Sequence, residues 1–242
     1  MALTTKILLS VRCVVMNRAI NRLKDLIKTI LYQIKIKLTN MKIYNQDVSI
    51  ICNNCTGADI LHLGGLKFNT PTVNLFIPAE DYNKFISNLP YYLGLDVVEC
   101  KEFSDHQREK IFFHLNEQPE CAGFPFGLVG DVLVCFMHYN AFNEAREAWN
   151  RRKTRVNFNH LGILYVQYKE DMRYLFEFDK MILPYSCKKT IMTMNKSIDG
   201  LQQSDNVVVP DLPKDVHWMK ERSFLKKYYQ KEFDIVKYIN SL

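Results

Sequence analysis

The chain has 242 residues, 48% hydrophobic and 24% charged, which is enough to bury a substantial core and too apolar for wholesale disorder. Its net charge of +6 is uneven: residues 1–40 hold Lys6, Arg12, Arg18, Arg22, Lys24, Lys28, Lys35 and Lys37 against Asp25, 8 − 1 = +7, so the remainder carries 24 − 25 = −1. A neutral body whose aromatics are not interleaved with Arg/Lys stripes argues against nucleic acid as a partner.

The first forty residues form a segment of their own. Ile20, Leu23, Ile27, Ile30, Leu31 and Ile34 recur at three- and four-residue spacing, with Arg18, Arg22, Lys24 and Lys28 mostly opposite, which predicts a basic amphipathic helix over residues 1–40. The alternation in "YQIKIKL" also permits a strand at 32–38. No uncharged apolar run approaches the ~20 residues that span a bilayer. "ILLSV" is cut by Arg12 and lacks a small-residue cleavage site, so it does not read as a signal peptide. Two uses remain open: a peripheral contact with anionic membrane, or a helix laid on the body with a solvated basic face.

Seven cysteines at irregular spacing, Cys13, Cys52, Cys55, Cys100, Cys121, Cys135 and Cys187, point to a reduced, cytoplasmic location, with any membrane attachment peripheral at its inner face. Cys52 and Cys55 form a C-x-x-C without the second ligand pair that structural zinc needs. No metal and no cofactor is expected.

Residues 41–242 read as a single domain. "DVSIICNN" is strand-like, "GADILHLGGL" a short helix, "TPTVNLFI" a second strand, and "PAEDYNKFISNLPYYLG" a helix opened by Pro78 with Glu80 and Asp81 in its first turn. After a less regular stretch over 96–127, "DVLVCFMHY" reads as a strand covered on both faces. "NAFNEAREAWNRRKTRVN" is a helix, and "LGILYVQY", "KKTIMTM" and "NVVVP" are further strands before a basic, aromatic C-terminal helix from about Val216. This alternation predicts a three-layer α/β fold with a largely parallel sheet and flanking helices. With strands 48–52, 73–77 and 131–137 as parallel neighbours, their carboxyl ends would gather Asn53, Asn54, Cys55, Glu80, Asp81 and His138 on one ligand-binding rim.

The stretches "SIICNNCTGADILHLGGLKFNTPTVNLFIPAEDYNKFISNLPYYL" and "FPFGLVGDVLVCFMHYNAFNEAREAWNRRKTRVNFNHLGILYV" resemble a bacterial family, the domain of unknown function 1919, met in exopolysaccharide and capsule biosynthesis settings. The resemblance covers most of residues 40–195. It rests on the asparagine pair, cysteine and glycine at 53–57, the "FNTPTVNLF" run, the Gly-Asp and Phe-x-His-Tyr elements at 130–139, and the "EAREAWNRRKTRVN" helix. It departs at Cys52, where serine is usual, and at Ala58 and Asp59, which replace a Gly-Glu step. The resemblance implies a role in surface polysaccharide biosynthesis, with a sugar or sugar-phosphate ligand.

The candidate residues follow from chemistry and from those motifs. Asn53 and Asn54 offer donors and acceptors for sugar hydroxyls or phosphate, and equally for capping a helix. Cys55, just before a helix, is either a nucleophile of lowered pKa or a small buried apolar side chain. His138 at a strand end is a candidate general base. Gly57 and Asn69 belong to the shared motifs, and Arg151 and Arg152 form a cationic run suited to a diphosphate or an acidic polysaccharide. Two functions are carried forward: an enzyme, a sugar-directed transferase using Cys55 and His138, or a non-catalytic accessory that docks on a membrane-bound polysaccharide assembly complex.

Overall fold

The computed structural model describes residues 2–167, 172–193, 198, 200–201, 204, 206–208, 219–223 and 226–242. In chain order the elements are α1 (Ala2–Asn40), β1 (Ser49–Cys52), α2 (Thr56–Leu63), α3 (Ala79–Ser87), α4 (Leu89–Gly94), β2 (Val97–Glu99), α5 (Asp105–Leu115), β3 (Phe126–Val129), β4 (Val132–Cys135), α6 (Phe142–Lys153), β5 (Leu161–Val166), α7 (Met172–Lys180), β6 (Lys188–Met192), β7 (Asn206–Val208), β8 (Glu221–Ser223), β9 (Lys226–Lys227) and α8 (Ile235–Asn240). The fold is mixed α/β.

Runs without polar alternation make strands covered on both faces, and "SIIC" and "LGILYV" are buried throughout. They become β1 and β5, which pair with β6 and β7 as a four-stranded parallel sheet in the order β1-β5-β6-β7. The pleat divides their side chains between two cores. Ile51, Ile163, Tyr165 and Ile191 pack with Phe85 of α3, Trp149 of α6 and Phe178 of α7. Ile50, Cys52, Leu164, Val166 and Met192 pack on the other side with Ile60 and Leu61 of α2 and Tyr238 and Ile239 of α8.

The parallel sheet is smaller than the sequence suggests, because two expected strands do not join it. Residues 131–137 contribute β4, which belongs with β2 and β3 to a separate antiparallel sheet. Gly130, at φ +61, opens a two-residue turn with Asp131 that folds β4 back on β3, the place a hairpin turn gives to glycine. Residues 73–77 form no strand of either sheet: Asn74 sits at φ 62, and Phe76 makes one antiparallel bridge to Cys135. Ile77 N–H also donates to the Asn53 carbonyl at 2.8 Å. This segment therefore straps one sheet to the other.

Other boundaries shift locally. Residues 32–38 are helical, and the helix expected from Pro78 is two helices, α3 and α4, meeting at Asn88. The stretch 96–127 contains β2 and α5, the latter started by a capping box in which Ser104 and Gln107 satisfy each other's backbone N–H. Of the C-terminal helix expected from about Val216, residues 216–218 and 224–225 lie outside the described residues. The rest is the β8–β9 hairpin, a 3-10 turn at Tyr228–Lys231 and the short α8.

Helix α1 meets the body through Lys28, whose Nζ lies 2.9 Å from Glu221, Tyr32, whose hydroxyl is 3.5 Å from His62 Nδ1, buried Ile36, and Asn40, which donates to the Gly64 carbonyl at 2.9 Å. These four residues share one side of the helix. The apolar stripe predicted from the sequence lies on the other side and is exposed, from Leu31 at 39% to Leu23 at 57%. The helix is thus laid on the body by the side opposite its long apolar stripe, with Ile36 and Tyr32 as the apolar contacts there, the reverse of the usual arrangement. Among the described residues no helix is long and apolar enough to cross a membrane.

Candidate functional site

At the carboxyl end of β1, Asn53 is fully buried. Its Nδ2 donates to the Val166 carbonyl and its Oδ1 accepts the Val166 N–H, both at 2.9 Å. The side-chain amide thereby replaces the next peptide of β1 and continues the ladder to β5 after the backbone has turned away. Asn54 Oδ1 accepts the Thr56 N–H at 2.9 Å, a local turn that starts α2. Gly57 lies in the first turn of α2 against β1, where an added Cβ would stand 2.6 Å from Cys52 Cβ.

Cys55 points its thiol at the Leu75 carbonyl, 3.6 Å away, and burial pushes that thiol up to about 11, so it stays protonated at neutral pH. His138 is exposed, with its backbone N–H on the Asn74 carbonyl at 3.3 Å; among the described residues no hydrogen bond joins it to Cys55. Arg151 is exposed on α6. Arg152 donates to the Tyr139 hydroxyl at 2.8 Å and lies 5.6 Å over the Phe68 ring. Asn69 sits at the opposite, amino end of β1, donating to Asp47 at 2.8 Å while its carbonyl accepts the Ser49 hydroxyl. The structure brings Asn53, Asn54 and Cys55 together at one strand end. It strings His138, Arg152 and Asn69 along the segment 68–75 and, among the described residues, gathers none of them round a common cavity.

A cavity with charged side chains at its walls does lie on the carboxyl side of the parallel sheet, where α3 and α7 begin. It measures about 240 Å³, and its walls include Pro78, Ala79 and Glu80 of the α3 start, His106, Glu109, Lys110, Phe113 and His114 of α5, and Arg173 and Tyr174 of α7. Helix α5 supplies it because His106, Lys110 and His114 recur every four residues and so share one face. Asn83 joins α3 to α7 by donating to the Tyr174 carbonyl at 2.9 Å.

Within the cavity, His106 Nε2 lies 2.8 Å from Glu80 Oε2. Lys110 pairs with Asp81, which is 1% exposed and also accepts the Leu133 N–H at 3.3 Å; Lys110 Nζ is 3.8 Å from Glu80. Burial acts to raise Glu80, but Lys110 and His106 outweigh it and hold its carboxyl below the usual range. Asp81 is raised by burial despite Lys110. The His114 ring is tilted against Phe76 with centroids 4.3 Å apart, and the Arg173 guanidinium lies 4.8 Å over Tyr174. The result is a histidine–carboxylate pair, two aromatic walls and two cations on one small opening. Among the described residues no cluster of three or more His, Cys, Asp or Glu is arranged to hold a metal.

Sequence reasoning placed Glu80 on a ligand rim and missed the rest of this cavity. The available signal was "SDHQREKIFFHL", where Ser104 and Gln107 announce a helix start and His106, Lys110 and His114 follow at helical spacing. Arg173 and Tyr174 carry no motif and reach the cavity only through the packing of α7 on α3.

The family described as a domain of unknown function (DUF1919) matches residues 26–240, from within α1 to the end of α8. An uncharacterised protein of Haemophilus influenzae is 32% identical over 123 residues, 51% of this chain and 51% of the relative. The match therefore spans about half the length of that curated relative. The family match takes in both sheets, the strap between them and every wall of the cavity, and on that coverage the chain belongs to the DUF1919 family.

Proposed function

We propose that the protein acts in surface polysaccharide biosynthesis as a sugar-directed enzyme, and that the cavity between α3, α5 and α7 holds one sugar or sugar phosphate. The pathway part of this reading is supported by the resemblance to a family met in exopolysaccharide and capsule settings. The ligand part is supported by the lining. At about 240 Å³ the cavity is smaller than the roughly 300–1,000 Å³ of drug-sized sites, and it suits a single pyranose. Phe113 and Tyr174 offer ring faces, Glu80 and Glu109 acceptors for hydroxyls, and Arg173 a planar donor for a phosphoryl group.

The observation that carries the reading is the 2.8 Å contact between His106 Nε2 and Glu80 Oε2. A carboxylate accepting from Nε2–H fixes the ring's tautomer and leaves Nδ1 as the basic nitrogen. His106 is then the general base for a sugar hydroxyl and Glu80 its positioning residue, in place of Cys55 and His138. A cytoplasmic location is part of the reading and is supported by the irregular cysteine spacing.

The test is calorimetric titration with a hexose 1-phosphate and with the matching free hexose. Wild type should bind the phosphate more tightly than the free sugar, Arg173→Ala should remove that difference, and His106→Ala should keep binding yet abolish polysaccharide output when it replaces the native gene. Full output from a stable His106→Ala protein would refute the catalytic assignment and favour the accessory reading.

A further inference from the structure

The outward face of α1 is an exposed apolar feature that the cavity does not use. At 100° per residue the docked residues Lys28, Tyr32, Ile36 and Asn40 centre roughly 180° from the exposed stripe of Ile20, Leu23, Ile27, Ile30 and Ile34. The stripe's spacing is a strict alternation of three and four, and in the sequence it continues upstream at Met16, Cys13 and Leu9. That places Cys13, Ile20, Ile27 and Ile34 at heptad position a and Leu9, Met16, Leu23 and Ile30 at d, while the body is docked at b, c and f for Lys28, Ile36 and Tyr32. We propose that α1 is the seam of a left-handed coiled coil and that its occupant is the α1 of a second copy of this chain.

Three observations favour a second copy over an anionic bilayer. A straight helix drifts about 20° per heptad relative to a 3.5-residue repeat, so a stripe kept at that repeat over nearly four heptads matches a supercoiled partner, not a flat surface. An interfacial helix carries Trp, Phe or Leu on its apolar face; the exposed stripe here has leucine and isoleucine, and the one aromatic of α1, Tyr32, lies on the docked side, so no aromatic anchor faces outward. The area also suffices. The five stripe residues, with Leu26, Leu31 and Leu38 at the flanking g and e positions, are 39–57% exposed. At about 90 Å² each they offer roughly 700 Å² per copy, near the ~800 Å² per partner of standard stable interfaces. The charge of +7 on residues 1–40 opposes association of like segments, so added salt should strengthen self-association, whereas it would weaken attachment to anionic lipid.

The inference is independent of the cavity and is tested on the full chain by light scattering after size exclusion, at low and high salt, beside flotation with vesicles of phosphatidylcholine and phosphatidylglycerol. The expected result is an oligomer that tightens with salt, and a monomer for Ile27→Lys/Ile30→Lys whose body keeps the wild-type near-ultraviolet circular dichroism, since neither side chain packs on the body. A monomeric wild type, whether or not it floats with vesicles, or a double variant that remains oligomeric, would overturn it.

Discussion

Replacing Asn53 by alanine separates a structural amide from a ligand-binding one. In the native chain the Asn53 side chain satisfies both backbone groups of Val166 on the β1 side, and both residues are fully buried. Alanine leaves the Val166 N–H and C=O without these partners in an apolar environment, at a cost of about 1–3 kcal/mol for each group. The loss for Asn53→Ala should therefore be about 2–6 kcal/mol, or on the order of 10 °C in melting temperature for a chain of this size. Urea unfolding followed by circular dichroism measures it, with the midpoint falling and the slope unchanged. A variant that keeps wild-type stability yet loses sugar binding would refute the reasoning and return Asn53 to the role of a ligand contact.

Gly57→Ala should destabilise by about 1–3 kcal/mol in the same assay, because the new Cβ would stand 2.6 Å from Cys52 Cβ and α2 would have to lift from β1; unchanged stability would contradict that packing. Cys55 should be alkylated slowly at neutral pH, with the rate climbing toward pH about 11. The sign for stability follows: the folded thiol ionises above the unfolded one, so stability is constant at neutral pH and falls as pH rises through that interval. A rate that has already levelled off at pH 7 would refute it. Glu80 has the opposite sign. Its folded pKa is depressed, so its contribution is present above the unfolded value and is lost as pH falls through the folded one, and Glu80→Gln should flatten that acid limb of the stability curve.

The elements read correctly from the sequence are those whose signal is local. "SIIC" and "LGILYV" are apolar without alternation, and helix α6 has Ala145, Ala148 and Trp149 on one face, all three buried. The errors arose where one residue redirects the chain. "DVLVCFMHY" looks like a central parallel strand, but the Gly130-Asp131 pair before it is a hairpin turn, which commits it to antiparallel pairing with "FGLV". "TPTVNLFI" has strand composition, but Asn74 at φ 62 confines its pairing to one bridge. The amphipathic pattern of α1 was legible and its orientation was not, because a pattern specifies which face is apolar and not what that face meets. The cavity was the least legible feature, since its walls come from three helices that only tertiary packing brings together.

The central claim is that sugar chemistry belongs to the cavity of Glu80, His106, Lys110 and Arg173 and not to the strand end of Asn54 and Cys55. The most direct measurement is calorimetric binding of a hexose 1-phosphate to wild type, Arg173→Ala and Cys55→Ala, each first shown to be folded. The account predicts that Cys55→Ala binds like wild type and that Arg173→Ala loses roughly tenfold or more, the factor expected for one charge-assisted hydrogen bond of about 1.5–3 kcal/mol. Loss of binding in Cys55→Ala with full binding retained in Arg173→Ala would contradict it.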